Sequence, residues 1–136
     1  MSRFVLLRHH CPADSEILSH WDFMLEREKF LWTWQLQELP KLWWIALGGV
    51  TSNFAEQATG AICAIRLMDH RLAYLDYEGP ISRNRGTVTR CDEGTYSMVS
   101  QTKERLEIQL AGNQLQSRVV LEPDTSHKDR WMLGIG

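Results

Sequence analysis

The sequence predicts a mainly β protein, a compact single-domain β-barrel with little helix. Three observations carry that expectation. Short runs of apolar or alternating residues recur along the chain, separated by polar turns. Convincing helical periodicity is scarce. No repeat, low-complexity tract or Gly/Pro/Ser-rich linker divides the 136 residues, 43% of them hydrophobic. That is the length and apolar content of one ordinary domain, spanning residues 1–136.

The elements follow in order. Arg3 to Arg8 holds Phe4-Val5-Leu6-Leu7, a continuous apolar run suited to a buried strand. Cys11 to Glu16 reads as loop. His20 to Glu26 alternates, Glu26 to Lys29 forms a charged turn, and Phe30 to Leu36 is rich in aromatics, so the two runs pair as a hairpin. Pro40 breaks the pattern. Lys41 to Leu47 fits a strand or a helix, Gly48-Gly49 opens a loop, and Ser52 to Ala58 fits one or two helical turns. Ala61 to Leu67 and Leu72 to Tyr77 read as strands on either side of Asp69-His70. Gly86 to Cys91 and Thr95 to Ser100 read as a hairpin about an Asp92-Glu-Gly94 turn. Arg105 to Leu110 and Gln114 to Leu121 alternate across Gly112-Asn113. Asp124 to Asp129 is loop, and Trp131 to Ile135 closes as a last strand. This spacing of strands argues for a barrel or tightly curled sheet.

Composition narrows the function. Fifteen Lys and Arg against seventeen Asp and Glu leave a net charge of −2. A protein that coats nucleic acid by bulk charge is strongly basic, so any such contact here comes from a local patch or a bound cation. No apolar run approaches the ~20 residues that span a bilayer, and the first residues lack a signal-peptide pattern. Cys11, Cys63 and Cys91 contain no CxxC pair, which argues against a disulfide scaffold or zinc knuckle and for a reducing, cytoplasmic setting without membrane partners.

Four groups of residues can carry chemistry. In a strand His20 and Asp22 project from one face, and an imidazole beside a carboxylate suits Mn²⁺, Zn²⁺ or Fe²⁺. His9 or His10, ending the preceding strand, completes a facial set with open positions. His-x-Asp is short and common, and the same spacing suits a hydrogen-bonded surface pair. His70 and Tyr74 can bind or protonate an oxyanion, or serve as a turn histidine and a half-buried tyrosine. Arg83 and Arg85 can fork a phosphate or occupy a solvated turn. Among the six tryptophans, the pairs Trp32/Trp34 and Trp43/Trp44 read as packing residues. Cys11 beside His10 is a remote candidate for a nucleophile.

Taken in order, several segments resemble one family. They are Arg8-His9-His10, His20-Trp-Asp-Phe-Met-Leu-Glu26, Trp34, Asp69-His70 through Gly79, Gly86-Thr-Val88, Asp92-Glu-Gly-Thr95 and Trp131-Met-Leu133. The chain is similar, almost end to end, to the 3′-phosphoesterase domain of bacterial DNA ligase D, the repair ligase of non-homologous end joining. The resemblance implies a β-barrel holding a divalent metal, most often manganese, with zinc or another transition metal as alternatives. It implies trimming of a 3′ phosphate or 3′ ribonucleotide from DNA or RNA/DNA ends. Carried over, His9, His20 and Asp22 match the metal ligands, His9 rather than His10 taking the first position. His70 and Tyr74 match residues that contact the phosphate and take the catalytic roles.

The departures are specific. The family pattern His-x-Asp-x-Arg aims an arginine at the phosphate, and here that residue is Met24. Loss of a charge-assisted bond in such a site costs ~3 kcal/mol of transition-state stabilisation. The lysine after the Trp strand is not clearly present, the spacing from His-His to His-x-Asp is longer than usual, and residues 41–60 read as an insertion. Pro80 to Gly86 replaces a glycine-rich acidic turn. Arg83, Arg85, Arg66 or Arg8 can restore the missing cation. The expected function is a stand-alone metal-dependent 3′-phosphoesterase working with a separate ligase or polymerase in trans. The alternatives are a non-catalytic module for DNA ends or a repair partner, and a phosphoesterase on a non-nucleotide substrate.

Overall fold

The computed structural model describes residues 2–49 and 60–136. Among these the strands are β1 (Ser2–His10), β2 (His20–Glu26), β3 (Leu31–Leu36), β4 (Ile62–Arg66), β5 (Gly79–Pro80), β6 (Thr87–Gln101), β7 (Leu106–Gly112), β8 (Arg118–Pro123) and β9 (Arg130–Ile135). They pair antiparallel in the order β1-β2-β3-β4-β9-β8-β7-β6, and β6 returns to β1, closing an eight-stranded barrel. β5 is a two-residue addition to β6. The expected β class and barrel are therefore observed, and closure leaves these eight strands without a free edge.

Register decides which side chains fill the barrel. Phe4 opposes Leu25 and Leu6 opposes Phe23, and these join Trp34, Ile108 and Leu133 in the interior core. The alternate residues point outward. Val5 opposes Met24, Leu7 opposes Asp22 and His9 opposes His20. The outer face is covered too, because Val5, Leu7, Met24, Leu31, Leu75 and Val88 form a second buried cluster. β1 is thus buried on both sides, which is why Phe4 to Leu7 reads as an unbroken apolar run.

The structure resolves one open sequence expectation and changes two others. Lys41 to Leu47, open between strand and helix, contains a helix, α1 (Lys41–Ala46). Gly48, with φ +89°, ends it: the Gly48 N–H donates to the Ile45 carbonyl and the Gly49 N–H to the Trp44 carbonyl. That double bond pattern satisfies the last carbonyls of a helix. α1 delivers Trp43 into the core, its ring 5.3 Å from that of Phe23. The expectation for Ser52 to Ala58 lies outside the described residues.

Leu72 to Tyr77 is not a strand. Leu72–Leu75 is a 3₁₀ turn. A period of three places Leu72 and Leu75 together on the outer apolar cluster, which a strand could not do.

Asp92-Glu-Gly94 is not a hairpin turn either, since β6 runs through it. The Asp92 carboxylate is buried and accepts the N–H groups of Gln114 and Leu115, the latter at 2.8 Å. A side chain at Gly94 would meet the Ala111 carbonyl oxygen at 2.2 Å, so glycine serves close strand approach here rather than a turn. One strand serves two partners, β1 along its first part and β7 along its second. An extra residue at Cys91, where the register slips between Leu6 and Leu7, bends it between them.

Candidate metal centre

The outer face of the β1–β2 ladder brings three of the expected residues together. His9 and His20 are direct cross-strand partners with ring centroids 4.8 Å apart. Asp22, one step further along the same face, is 4% exposed. Its Oδ2 lies 3.7 Å from His9 Nδ1, and its Oδ1 lies 3.3 Å from His20 Nε2.

The hydrogen bonds on the far side of each ring fix which nitrogen faces the carboxylate. His9 Nε2 is 2.7 Å from the Arg85 carbonyl, and His20 Nδ1 is 2.8 Å from the Leu18 carbonyl. A carbonyl only accepts, so both of those nitrogens carry hydrogen. In its neutral form each ring then turns a lone pair toward Asp22. Among the described residues Asp22 Oδ1 is buried without a hydrogen-bond partner, although His20 Nε2 lies 3.3 Å away. Lone pairs facing a buried carboxylate are mutually repulsive until a proton or a cation lies between them. Imidazoles anchored through their outer nitrogens on backbone carbonyls are also how metal-binding histidines are oriented.

Charge follows the same logic. The Asp22 carboxylate raises the His9 pKa above its usual value, burial opposes this, and the Arg85 carbonyl adds to the rise. Burial pushes the Asp22 carboxyl up, but His20 and His9 outweigh it and hold the group below the usual carboxylate value.

The remaining expected residues divide by face. Arg85 lies in a turn docked on the end of β1, closed by the Ile81 N–H donating to the Gly86 carbonyl. Arg83 and Asn84 take left-handed backbone at its tip. Gly86, with φ +98°, lies so close that a Cβ would fall 1.9 Å from the His10 carbonyl oxygen. The Arg85 guanidinium donates to the Ser82 carbonyl and hydroxyl at 2.9 and 3.1 Å. Arg83 is exposed.

His70 bridges to Leu31, at the other end of the β2–β3 hairpin from His20. Its Nδ1–H donates to the Met68 carbonyl, and its ring meets Tyr74 edge-on at 5.7 Å. Tyr74 in turn meets Tyr77 edge-on at 6.1 Å. A cavity of about 290 Å³ joins this aromatic row to the arginine turn, lined by Arg71, Tyr74, Tyr77, Ile81, Ser82 and Arg85. Through Arg85 the cavity reaches the residue that anchors His9. Arg71 and Tyr77 were not among the sequence candidates, since nothing in their spacing brings them to the turn.

Arg66 and Arg8 lie elsewhere. Arg66 opposes Trp34, whose side chain fills the barrel rather than its outer face. Its guanidinium lies over Trp34 at 4.9 Å and pairs with Asp69 at 3.2 Å. Arg8 opposes Trp21 and stacks on it at 4.1 Å, on the face opposite His9. Neither supplies a cation beside Asp22. Met24 is 1% exposed, sealed within the outer apolar cluster.

The structure adds a residue to the site. One donor atom each from His9, Cys11 and His20 lies within 4.8 Å of the others. A signal was available, because His9-x-Cys11 repeats the i, i+2 spacing of His20-x-Asp22.

The fold and this cluster define a small antiparallel barrel with side chains on its outer wall that could hold a metal ion. A family model for the DNA Ligase D 3′-phosphoesterase domain matches residues 8–122. The chain belongs to that family. The matched span contains His9, His20, Asp22, His70, Tyr74 and Arg85. No curated protein matches the chain closely enough to add a relative.

Proposed function

We propose that this protein is a metal-dependent 3′-phosphoesterase that removes a 3′ phosphate or 3′ ribonucleotide from DNA or RNA/DNA ends in repair. Family membership supplies the reaction class. The observation that carries the metal dependence is the pair of outward-anchored imidazoles facing the buried, unpartnered Asp22 oxygen. His9, His20 and Asp22 fit a divalent transition metal such as Mn²⁺ or Zn²⁺. Bound there, such an ion supplies Lewis-acid activation of a phosphoryl oxygen and of the attacking water.

The chain's own residues do the rest. Arg85, with Arg71, binds the phosphate from the cavity wall and replaces the cation absent at Met24. His70, its Nδ1–H fixed on Met68, presents Nε2 to hold a proton for the leaving oxygen, and Tyr74 orients it. The docked turn keeps Arg85 beside the metal ligands through the His9 bond to its carbonyl. Among the described residues no helix is long and apolar enough to cross a membrane. We place the activity in the cytoplasm, in non-homologous end joining.

A 5′-labelled primer–template ending in a 3′ phosphate or a 3′ ribonucleotide tests this, with Mn²⁺, Zn²⁺, Mg²⁺ and chelator compared. Metal-dependent trimming that disappears in His20→Ala is the expected result. Turnover in chelator, or undiminished turnover in that variant, refutes the mechanism. The sealing of Met24 favours one second reading, an end-binding module without turnover. It predicts binding with steep salt dependence and no metal requirement.

A further inference from the structure

We infer that Cys11 is a further ligand of the metal centre, so that two imidazoles, a carboxylate and a thiolate converge there and select zinc over manganese. The inference rests on the metal-site reading above and deepens it.

The first observation is the clustering of one donor atom each from His9, Cys11 and His20 within 4.8 Å. Donors around tetrahedral zinc lie roughly 3.3–3.6 Å apart, from Zn–N near 2.0 Å and Zn–S near 2.3 Å. Closure to that geometry asks for about an ångström of side-chain movement. The second observation is independent of the cysteine. Among the described residues Asp22 Oδ1 is buried without a hydrogen-bond partner, and it lies 3.3 Å from the Nε2 of His20, one ring of that cluster.

The loop between β1 and β2 holds Cys11 in place. Its N–H donates to the Ser19 hydroxyl at 2.9 Å, tying the end of β1 to the residue before His20. Its thiol donates weakly to the Leu18 carbonyl at 3.7 Å. That is the carbonyl that also anchors His20. The thiol proton is therefore held beside the site and passes to solvent as the sulfur–metal bond forms. Cys11 also borders an open hollow of about 550 Å³ beside Pro12, Asn84 and Gly86. A thiolate is a soft donor. It strengthens Zn²⁺ and Co²⁺ binding and contributes little to Mn²⁺, which prefers oxygen and nitrogen ligands.

Cobalt titration of the full chain reads this directly. Co²⁺ should give visible ligand-field bands together with a near-ultraviolet thiolate-to-cobalt charge-transfer band. Cys11→Ser should lose the charge-transfer band and keep visible bands, and its Zn²⁺ affinity should fall roughly tenfold or more. Its Mn²⁺ affinity should change much less. Zn²⁺ should also shield Cys11 from iodoacetamide while exposed Cys63 still reacts, an internal control within one molecule. Visible bands without charge transfer in the unmodified protein overturn the thiolate ligand and leave the three-residue centre standing. Failure of the unmodified protein to bind Co²⁺, Zn²⁺ or Mn²⁺ overturns both.

Discussion

Replacing Met24 by arginine restores the side chain that the family pattern places two residues after the aspartate, and the structure predicts that the restoration fails. Met24 is 1% exposed and packs among Val5, Leu7, Leu31, Leu75 and Val88. Removing the methionine forfeits about 2 kcal/mol of apolar burial. Arginine recovers part of that through its methylene stem, but its guanidinium must be desolvated under the 3₁₀ turn. The carboxylates two residues away on either side along the strand, Asp22 and Glu26, each lie about 7 Å off at 3.3 Å per residue; Asp22 already faces two imidazoles and Glu26 accepts the Arg3 N–H. An incompletely paired buried charge costs several kcal/mol, which gives a net loss of ~3–5 kcal/mol. Met24→Leu, which conserves volume, should cost less than ~1.5 kcal/mol. Urea unfolding of the metal-free proteins compares them. An arginine variant within ~0.5 kcal/mol of the parent, and binding phosphate more tightly, would refute the sealed-cluster argument. Arginine would then reach the site from β2 as it does in the family pattern.

Two further outcomes follow from the same contacts. A folded-state pKa raised above its unfolded value contributes stability that is complete below the unfolded value and is lost as pH rises through the folded one. His9, raised above 6.5 by Asp22, should therefore make the metal-free protein lose stability as pH climbs through the imidazole range, while zinc-loaded protein holds it. Asp22, held below 3.8, contributes the opposite way, with stability lost only as pH falls through its depressed value. Denaturant midpoints on both sides of neutrality, with and without chelator, check the sign. A metal-free protein that gains stability as pH rises contradicts it. Arg85→Ala should raise KM for a 3′-phosphate end roughly ten- to a hundredfold, the worth of one charge-assisted bond, with zinc affinity retained because His9 is anchored by a backbone carbonyl. Arg66→Ala should leave KM alone and lower the unfolding midpoint through its lost contacts with Trp34 and Asp69. If the two variants exchange these effects, the assignment of arginines to faces is wrong.

The sequence revealed most where a local pattern and the tertiary environment agree. β1 and the β2–β3 hairpin were readable because each apolar run matches a face that is buried. The juxtaposition of His9, His20 and Asp22 was readable because i, i+2 spacing puts His20 and Asp22 on one face and strand pairing adds His9. What failed depended on partners distant in the chain. Asp92-Glu-Gly94 has turn composition, yet Asp92 caps the N–H groups of Gln114 and Leu115, and Gly94 makes room for β7. Leu72 to Tyr77 alternates like a strand, but an apolar patch on the outside of the barrel binds it as a 3₁₀ turn. Arg66 looked available for phosphate because its type was right. Only the register with Trp34 shows that it faces the wrong way.

On the proposed reading the phosphate-binding cation moves from strand to turn, and that changes how the site would work. An arginine on β2 would be fixed by a ladder buried on both sides, with no freedom to follow a substrate. Arg85 instead extends from a turn held at its ends by the Ile81–Gly86 bond and the His9 contact, with its guanidinium resting on Ser82 in the meantime. Those guanidinium bonds are exposed and cheap to exchange for a phosphate. The same substitution leaves Met24 as apolar support beneath the 3₁₀ turn that carries Tyr74. What the strand loses in charge it returns as a firmer base for the aromatic row. On the proposed reading phosphate recognition depends on the turn, while metal binding depends on the ladder. The two should separate cleanly under mutation, with turn variants altering KM and ladder variants altering metal affinity and fold stability together.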